Sequence, residues 1–414
     1  MRHFKLKFIL ILSFILMTQN ICAQSLDSLL QLAVSENTTL KSLELEYKAE
    51  LIKTDQVSQL PNPKIGIGVP ILQPETRLGP QTMMISASQM FPWFGALKAK
   101  KEVTVSMSKM RYEKISALKL NLFYIVKSNY YQLEFAEEKQ ALIEKDILLL
   151  KVIEQLSLSK IESGEGSIAD VLRLQLKIDE LTNEIAILEN SKHTTSTRIN
   201  EIIKQPLTSQ ITTRDRLLQI PLLDFDIEAF QAKISAHHPL MEMLNVEIEI
   251  SENRDLVNST TNKPTIELGI DYSLVGQRTD ASPINNGRDI LIPKIMLSIP
   301  IYRKSFNASN QIESMNRKAI ELDKISLIDQ MTRQLIEYKT EYDNAILMFN
   351  LSEQQALTAQ QTYEILLTNY STNSVGFDDL LSIQSQLLIY KQLNINARLL
   401  ANIAVAKIER LTNF

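Results

Sequence analysis

Four long stretches of the chain contain neither glycine nor proline: residues 96–163, 167–205, 301–375 and 377–414. Because these two residues are the strongest local breakers of helices, their absence predicts long uninterrupted helices. At about 1.5 Å per residue, the first and third stretches would reach roughly 100–110 Å as single helices. An ordinary globular core needs no helix of that length, so the sequence predicts an elongated helical assembly.

The glycines and prolines divide the chain into two copies of one plan. They cluster between Pro61 and Gly95 and again between Pro264 and Pro300. "PNPKIGIG" corresponds to "NKPTIELGI", "MFPWFG" to "SIPIYRK", and "SIADVLRLQ" to "GFDDLLSIQ". Such ordered recurrence predicts an internal duplication. Each copy would contain a helix, a β-hairpin and two long helices. The predicted segments are a first repeat at 24–205 with a hairpin at about 64–91, a connector at 206–224, and a second repeat at 225–414 with a hairpin at about 265–299.

The long helices carry apolar residues at coiled-coil spacing. In 377–414 one line steps by three and four residues, and a second line runs beside it through Leu381, Leu388 and Ile395. One line suits an ordinary bundle, whereas two lines predict a neighbour on either side, as in a bundle or a closed ring of helices. A looser line runs along 301–375. The first line comprises Leu380, Ile383, Leu387, Tyr390, Asn394, Ala397, Ala401, Ala404, Ile408 and Leu411, and the looser line begins with Ile312, Met315, Ala319, Leu322 and Ile325.

The hairpin segments alternate between apolar and polar residues. From Thr265 to Leu274 aliphatic side chains face one way, and Glu267 and Asp271 face the other. About ten residues is the length of a tilted strand that crosses a bilayer. Four strands are too few to close a membrane barrel, and open sheet edges are costly in lipid, so several chains must share one barrel. Three chains would supply twelve strands. A soluble antiparallel sheet capping a helical bundle predicts the same alternation.

Aromatic residues lie where each second strand would pass into a long helix. Phe91, Trp93 and Phe94 occupy this junction in the first copy, and Tyr302 and Phe306 in the second. Aromatic side chains are typical of the boundary between membrane and water, so these five are candidate interface anchors. The alternative is an aromatic cluster buried beneath a bend.

The beginning of the chain predicts export. Arg2, Lys5 and Lys7 precede an apolar segment, and a cleavage site follows Ala23, so residues 1–23 are a candidate signal peptide. Loss of these three positive charges would take the net charge from −4 to −7, which argues against nucleic acid as a partner. Cys22 is the only cysteine, and it lacks the small preceding residues expected for lipidation. A soluble periplasmic protein and an outer-membrane β-barrel both remain open at this point.

The order of these features resembles the TolC-type outer-membrane efflux channels, the outer membrane efflux protein family. The duplicated plan carries the resemblance, with "PNPKIGIG", "FPWFG" and "YSTNSVGFDDLLSIQ" at corresponding places. It implies a mainly α-helical chain whose long-helix α-barrel is continuous with a twelve-stranded β-barrel shared by a homotrimer. It also implies an outer-membrane location in a Gram-negative-type cell, extension into the periplasm, and work with a periplasmic adaptor (membrane fusion) protein and an inner-membrane pump.

The resemblance further implies roles for the two bends between long helices. The bends would form the tip that docks the adaptor, and acidic residues just past them would line the aperture. Family members often carry a further aspartate one turn later, where this chain has Ser382. Stabilisation of a helix start is the alternative role for Asp170 and Asp379. The docking candidates are Gly164, Gly166, Ser167, Ser374, Val375 and Gly376, and the aperture candidates are Asp379, Asp378 and Asp170.

No pattern for catalysis or for a cofactor emerges. Beyond the candidate signal the only histidines are His193, His237 and His238, and Pro239 makes "AHHPL" a better helix start than a metal site. "GEGS" lacks the later residues of a phosphate-binding loop. We therefore expect neither an enzyme nor a cofactor. The main alternative function is a soluble periplasmic coiled-coil adaptor or stalk without a pore, and a metal-binding enzyme is a distant third.

Overall fold

The computed structural model describes residues 25–213, 219–371 and 376–412. The candidate signal peptide, Cys22 and the docking candidates Ser374 and Val375 lie outside these ranges. The described part of the chain is mostly helical, and its two halves share one element order apart from the short strand β2 of the first half. The first half contains α1 (Leu26–Glu36), α2 (Thr38–Val57), β1 (Lys64–Gly68), β2 (Glu75–Thr76), β3 (Gly79–Phe91), α3 (Ala96–Glu162) and α4 (Ile168–Ile203). The second half contains α5 (Ile227–His237), α6 (Pro239–Thr261), β4 (Thr265–Val275), β5 (Ile290–Ser298), α7 (Lys304–Ser371) and α8 (Phe377–Thr412).

The ends of the helices follow local chemistry. The side chains of Ser25, Ser167 and Asp226 accept hydrogen bonds from backbone N–H groups at the starts of α1, α4 and α5. Such caps satisfy donors that the helix itself leaves unpaired. Pro239 is the first residue of α6, which confirms the helix start predicted for "AHHPL". Helix α4 ends at Ile203, and the left-handed backbone of the next residue, Lys204, turns the chain away.

The strands form one antiparallel sheet in the order β1-β3-β4-β5, with the short β2 paired to β3. One row across the sheet runs Ile67, Ile85, Tyr272 and Leu291. In the sequence the alternation of Ile65 and Ile67 with glycines continues through Val69 and Ile71, which predicts a longer first strand, but β1 ends at Gly68. Pro70 lacks the N–H that a ladder needs, which accounts for the early end.

By compactness the chain divides into two units, and each unit takes segments from both halves. One unit contains the described residues of 1–41, 117–238 and 329–414, and the other contains Ser42–Ser116 and Pro239–Ile328. The compact units therefore do not coincide with the predicted repeats, whose boundaries stay a prediction.

The core of the first unit packs α3, α4, α7 and α8 along their apolar lines. Leu380 and Leu387 of the first predicted line in α8 are buried, and so are Leu388 and Ile395 of the second line. The two predicted lines of α8 are thus both used in packing. A second cluster joins α1 to α3 and α4 around Leu29, Tyr130 and Ile199.

The second unit contains the sheet and the helical segments next to it. Ion pairs link these segments, including Arg111 with Glu46 at 2.8 Å and Arg317 with Asp255 at 2.6 Å. The looser line predicted in α7 is exposed here at Ile312, Met315, Leu322 and Ile325, whereas Ile320 is buried. Periodicity thus predicted a helix but not which side of it the single chain covers.

Within residues 25–213, 219–371 and 376–412, every helix is too short or too polar to span a membrane.

Candidate functional site

The two faces of the sheet differ in chemistry. On one face the side chains are aliphatic and exposed in the single chain: Ile65 at 76%, Ile270 at 51% and Ile295 at 74%. Ile65 and Ile270 share one row, with Ala87 between them, and Ile295 lies in the next row beside Leu268, so the exposed aliphatic side chains are contiguous. A contiguous apolar surface on a folded chain marks contact with another apolar phase or a partner.

The opposite face of the sheet carries charges. Lys294 Nζ lies 2.6 Å from a carboxylate oxygen of Asp271, and Ser88 Oγ donates to Glu267 at 2.5 Å. On β4 the polar residues Asp271 and Ser273 are buried. A soluble sheet that caps a helical bundle would instead bury its aliphatic side. The burial on β4 therefore disfavours the soluble-sheet alternative.

The predicted aromatic anchors differ in exposure. Phe94 and Tyr302 are 85% and 92% exposed, and Trp93 packs edge-on against Phe94 with ring centroids 6.2 Å apart. Phe91 closes β3 and is partly exposed, whereas Phe306 is half-buried. The exposed rings do not form the buried cluster of the alternative interpretation. Their role as membrane anchors stays a prediction.

Glycine geometry shapes the first predicted docking bend. Gly164 has φ of 81°, and the N–H groups of Gly164 and Glu165 donate to the carbonyls of Ile161 and Lys160. These two hydrogen bonds close the end of α3 in a pattern whose left-handed position is usually occupied by glycine. A Cβ on Gly166 would lie 2.8 Å from Ile161 N, so this residue also needs glycine. Ser167 then caps α4 through the N–H of Ala169 at 3.1 Å.

A buried lysine links the end of α3 to the end of α7. Lys160 Nζ donates to the carbonyl of Tyr370 at 2.5 Å and lies 4.2 Å from the centroid of its ring. The Tyr370 hydroxyl is 3.2 Å from Ser157 Oγ, and its ring packs on Phe377 with centroids 6.0 Å apart. Sequence reasoning missed this contact. Its only sequence signal is a lysine on the otherwise apolar side of α3.

The three predicted aperture carboxylates lie in the first turns of α4 and α8. Asp170 is in the first turn of α4, and Asp378 and Asp379 are in the first turn of α8. The guanidinium of Arg173 pairs closely with Asp378 and lies 3.8 Å from Asp170. Asp379 is exposed and has no ion-pair partner in the part of the chain that the structure describes. The structure thus brings two of the three acids together around an arginine that sequence reasoning did not identify.

Burial sets the protonation behaviour of Asp170. Desolvation raises the pKa of its carboxyl above the ordinary value, the charge of Arg173 lowers it, and the charge of Asp378 raises it further. Asp170 also lies where the helix dipole stabilises an anion, so both roles considered for it are compatible with its position. The capping hydrogen bond at this helix start comes from Ser167.

A buried polar layer interrupts the helical core. Asp146 of α3 accepts a hydrogen bond from Gln384 of α8, and both are buried together with Tyr363 of α7. Burial raises the pKa of Asp146 to about 6, although Gln384, Lys391 and Lys177 each lower it. Burial likewise raises the pKa of Tyr363 to about 12. A carboxylate with this pKa can change charge near neutral pH.

Among residues 25–213, 219–371 and 376–412 no group of three or more metal-ligating side chains comes together. His238 caps the end of α5 and is buried, and that burial lowers its pKa to about 4. This environment keeps His238 neutral at ordinary pH.

Comparison with known proteins relates this architecture to membrane channels. No protein-family model matches the sequence, and no curated protein does. Among solved structures, the outer-membrane channel OprN superposes with a TM-score of 0.75 at 14% identity, over 94% of this chain and 89% of the other. The outer membrane protein VceC of Vibrio cholerae gives 0.70 at 12% over 94% and 95%. The open MtrE outer membrane channel of Neisseria gonorrhoeae gives 0.73 at 13% over 94% and 88%.

The chain has the TolC-type channel fold. At these identities the likeness establishes the fold, as the motif order predicted, whereas individual residue roles depend on this chain's own geometry.

Proposed function

We propose that the chain is the outer-membrane channel of a tripartite efflux or type I export system. In this role it is a passive homotrimeric conduit that extends into the periplasm. The observation that carries the proposal is the sheet. Its contiguous aliphatic face is exposed, and its opposite face carries the Asp271–Lys294 and Glu267–Ser88 pairs. Aliphatic side chains facing lipid and charges facing a water-filled lumen are the arrangement of a transmembrane barrel.

The free edges of the sheet support assembly from several copies. Strands β1 and β5 are the two ends of the order β1-β3-β4-β5, and the strand directions alternate across it. The β5 edge of one copy can therefore pair antiparallel with the β1 edge of the next. Four strands from each of three chains give twelve, an even number above the minimum of eight.

The helices of the first unit also expose aliphatic side chains. Leu172 and Leu176 of α4 are 54% and 70% exposed, and Leu347 and Leu351 of α7 are 67% and 60% exposed. Within each helix the two residues are four positions apart and share one face. Neighbouring copies in a closed ring of helices would cover these faces.

The bends would carry docking and selectivity. In the trimer three copies of Asp379 would surround one axis and concentrate negative potential in a narrow neck, which favours cations. Asp378 precedes Asp379 in the same first turn, and Arg173, which lies near both Asp378 and Asp170, offsets part of their negative charge. The two bends would dock the adaptor of a partner pump. The docking residues would be Gly164, Gly166 and Ser167 at the first bend and Gly376 at the second, together with Ser374 and Val375, which lie outside the described ranges.

Disulfide crosslinking tests the barrel directly, because the chain beyond Cys22 has no cysteine. Ile65→Cys in β1 would be combined in turn with Leu291→Cys, Ile295→Cys or Leu297→Cys in β5. Two strands separate β1 from β5 within one chain, so their Cα atoms are too far apart for an intrachain disulfide. At least one pair should give covalent dimers and trimers on oxidation.

The control combines Ile65→Cys with Ile270→Cys in β4, a central strand that already has a partner on each side. The protein with these two substitutions should remain monomeric after the same oxidation. A chain that stays monomeric for every β1–β5 pair and remains soluble without detergent would instead support the adaptor or stalk.

A further inference from the structure

An apolar cavity lies at the first strand-to-helix junction of the second unit. Its volume is about 480 Å³, within the range of small-molecule sites, which is roughly 300–1000 Å³. The lining is predominantly aromatic and aliphatic, and it includes Leu60, Phe91, Trp93, Phe94, Ile266 and Leu268.

The cavity opens on the aliphatic face of the sheet. Phe91 is paired with Ile266 across β3 and β4, and Leu268 lies on the same face as Ile270. These are the two central strands, so the cavity lies away from the free edges where a neighbouring copy would pair. It is therefore continuous with the surface proposed to face lipid.

Positive charge borders the cavity. Lys98 contributes to its lining and is exposed, and it has no ion-pair partner among the residues that the structure describes. The first turn of α3 contains no acidic side chain, and Lys100 and Lys101 follow Lys98. A lysine can place its alkyl chain on apolar surface while its ammonium reaches polar surroundings. An apolar cavity beside such a charge fits an amphiphile with a hydrocarbon tail and an anionic head.

We propose that this cavity binds an anionic phospholipid of the surrounding bilayer, with an acyl chain against Trp93 and Leu268 and the phosphate at Lys98. The inference rests on the proposed function, since it requires the sheet to lie in a bilayer. Exposed aromatic rings at the same junction are typical of headgroup depth, where basic side chains attract anionic lipids. The site would bind one lipid per chain, at the junction between β3 and α3.

Trp93 supplies the probe, because it is the only tryptophan of the chain. The purified protein would be reconstituted in phosphatidylcholine vesicles that contain increasing fractions of phosphatidylglycerol brominated on its acyl chains. A parallel series would use brominated phosphatidylcholine. Bromine quenches tryptophan fluorescence on contact, so the series compares the two lipids at Trp93. We expect half-maximal quenching at a several-fold lower mole fraction for the brominated anionic lipid.

Matched variants assign the headgroup contact. Lys98→Gln should bring the anionic-lipid curve onto the phosphatidylcholine curve. Lys101→Gln, which removes a nearby exposed lysine that does not line the cavity, should leave the preference unchanged.

Each of the following results would contradict the proposed lipid site. Equal quenching by the two lipids would show membrane insertion without a selective site, so the proposed function would survive and the lipid site would not. A preference that persists in Lys98→Gln, or that disappears equally in Lys101→Gln, would exclude recognition at Lys98. Absence of quenching by either lipid in a folded protein would contradict insertion itself, and with it the proposed function.

Discussion

Asp146 is a carboxylate held within the helical core at 8% exposure. Its pKa is about 6 in the folded chain, against an ordinary value of 3.8. The folded state therefore binds this proton more tightly than the unfolded state does. The resulting stability is fully present below pH 4 and is lost as the pH rises through about 6. Near pH 7 the charged carboxylate costs about 3 kcal/mol, at about 1.4 kcal/mol for each unit of pKa.

Asp146→Asn should remove this cost while keeping an oxygen that accepts from Gln384. We expect the variant to be more stable than the parent near pH 7 by about 2–3 kcal/mol, with the difference vanishing near pH 4. Denaturant unfolding followed by circular dichroism across this pH range measures it. His238 has the opposite effect, since its pKa is lowered, but it is common to both proteins and cancels.

The exposed Asp329 of α7 provides the control for this experiment. Asp329→Asn should leave the pH dependence of the parent unchanged. A parallel pH dependence of the parent and Asp146→Asn would show that folding does not raise the pKa of Asp146, and it would contradict a protonated carboxyl in the polar layer.

Gly164 is required by its backbone conformation. With φ of 81°, any side chain is strained there even though a Cβ would meet nothing within 4 Å. Gly164→Ala should cost about 1 kcal/mol of folding free energy. Gly376→Ala is the matched control at the second bend, because its Cβ would meet only Asp379 Oδ2 at 4.0 Å and its φ is not positive.

Thermal unfolding of the two variants compares the bends. We expect a lower midpoint for Gly164→Ala and a midpoint near that of the parent for Gly376→Ala. Equal midpoints for Gly164→Ala and the parent would mean that the first bend can relax to a backbone that other residues adopt.

At the residue scale the sequence identified the acidic residues at the two bends but not the arginine that pairs with them. Asp170, Asp378 and Asp379 lie in the first turns of α4 and α8, as their places after the two bends predicted, and their role at an aperture stays a prediction. Arg173 was missed because its partner Asp378 is 205 residues away, and only the packing of α4 beside α8 brings them together. Periodicity along one helix contains no information on such a pair.

At the element scale Arg173 connects two helix starts and offsets part of their negative charge. The pair is exposed, so its contribution to stability is small, about 0–1 kcal/mol. Its effect should be on the field at the bends. Arg173→Gln would remove one positive charge per chain, so we expect greater cation preference of the proposed channel and stronger block by multivalent cations.

Reversal potentials in a salt gradient measure this preference. Arg333→Gln is the control, because it removes an arginine from an exposed pair with Glu337 within α7. Identical selectivity in Arg173→Gln, Arg333→Gln and the parent would place the Arg173 pair outside the conduction path.

Strand and helix patterns were informative to different degrees. Alternation predicted β4 and its two chemically distinct faces, since each strand residue points opposite to its neighbours. It overextended β1, where Pro70 prevents pairing. Apolar spacing predicted the packing of α8, but in α7 it marked Ile312 and Met315, which the single chain leaves exposed. Spacing identifies an apolar helix face without identifying what covers it.

At the scale of the whole molecule, the order of breakers predicted one helix, a hairpin and two long helices in each half. The structure has this order, with two helices before the strands in both halves and the additional short strand β2 in the first. The compact units could not be predicted in this way, because each unit combines segments from both copies. The apolar sheet face and the exposed leucines of α4 and α7 are uncovered in the single chain for the same reason. Their partners in the proposed trimer are other copies and lipid, which lie outside a single sequence.

The most direct test of the proposed trimeric channel is ion conductance of the purified protein in a planar lipid bilayer, with oligomeric state checked by crosslinking. We expect discrete, cation-preferring current steps from a trimer. We also expect weaker cation preference or weaker multivalent-cation block in Asp379→Asn, because three carboxylates at the neck lose their charge. Unchanged selectivity in this variant would remove Asp379 from the aperture. A monomer that stays in solution and gives no current, as the parent and as Asp379→Asn, would contradict the channel.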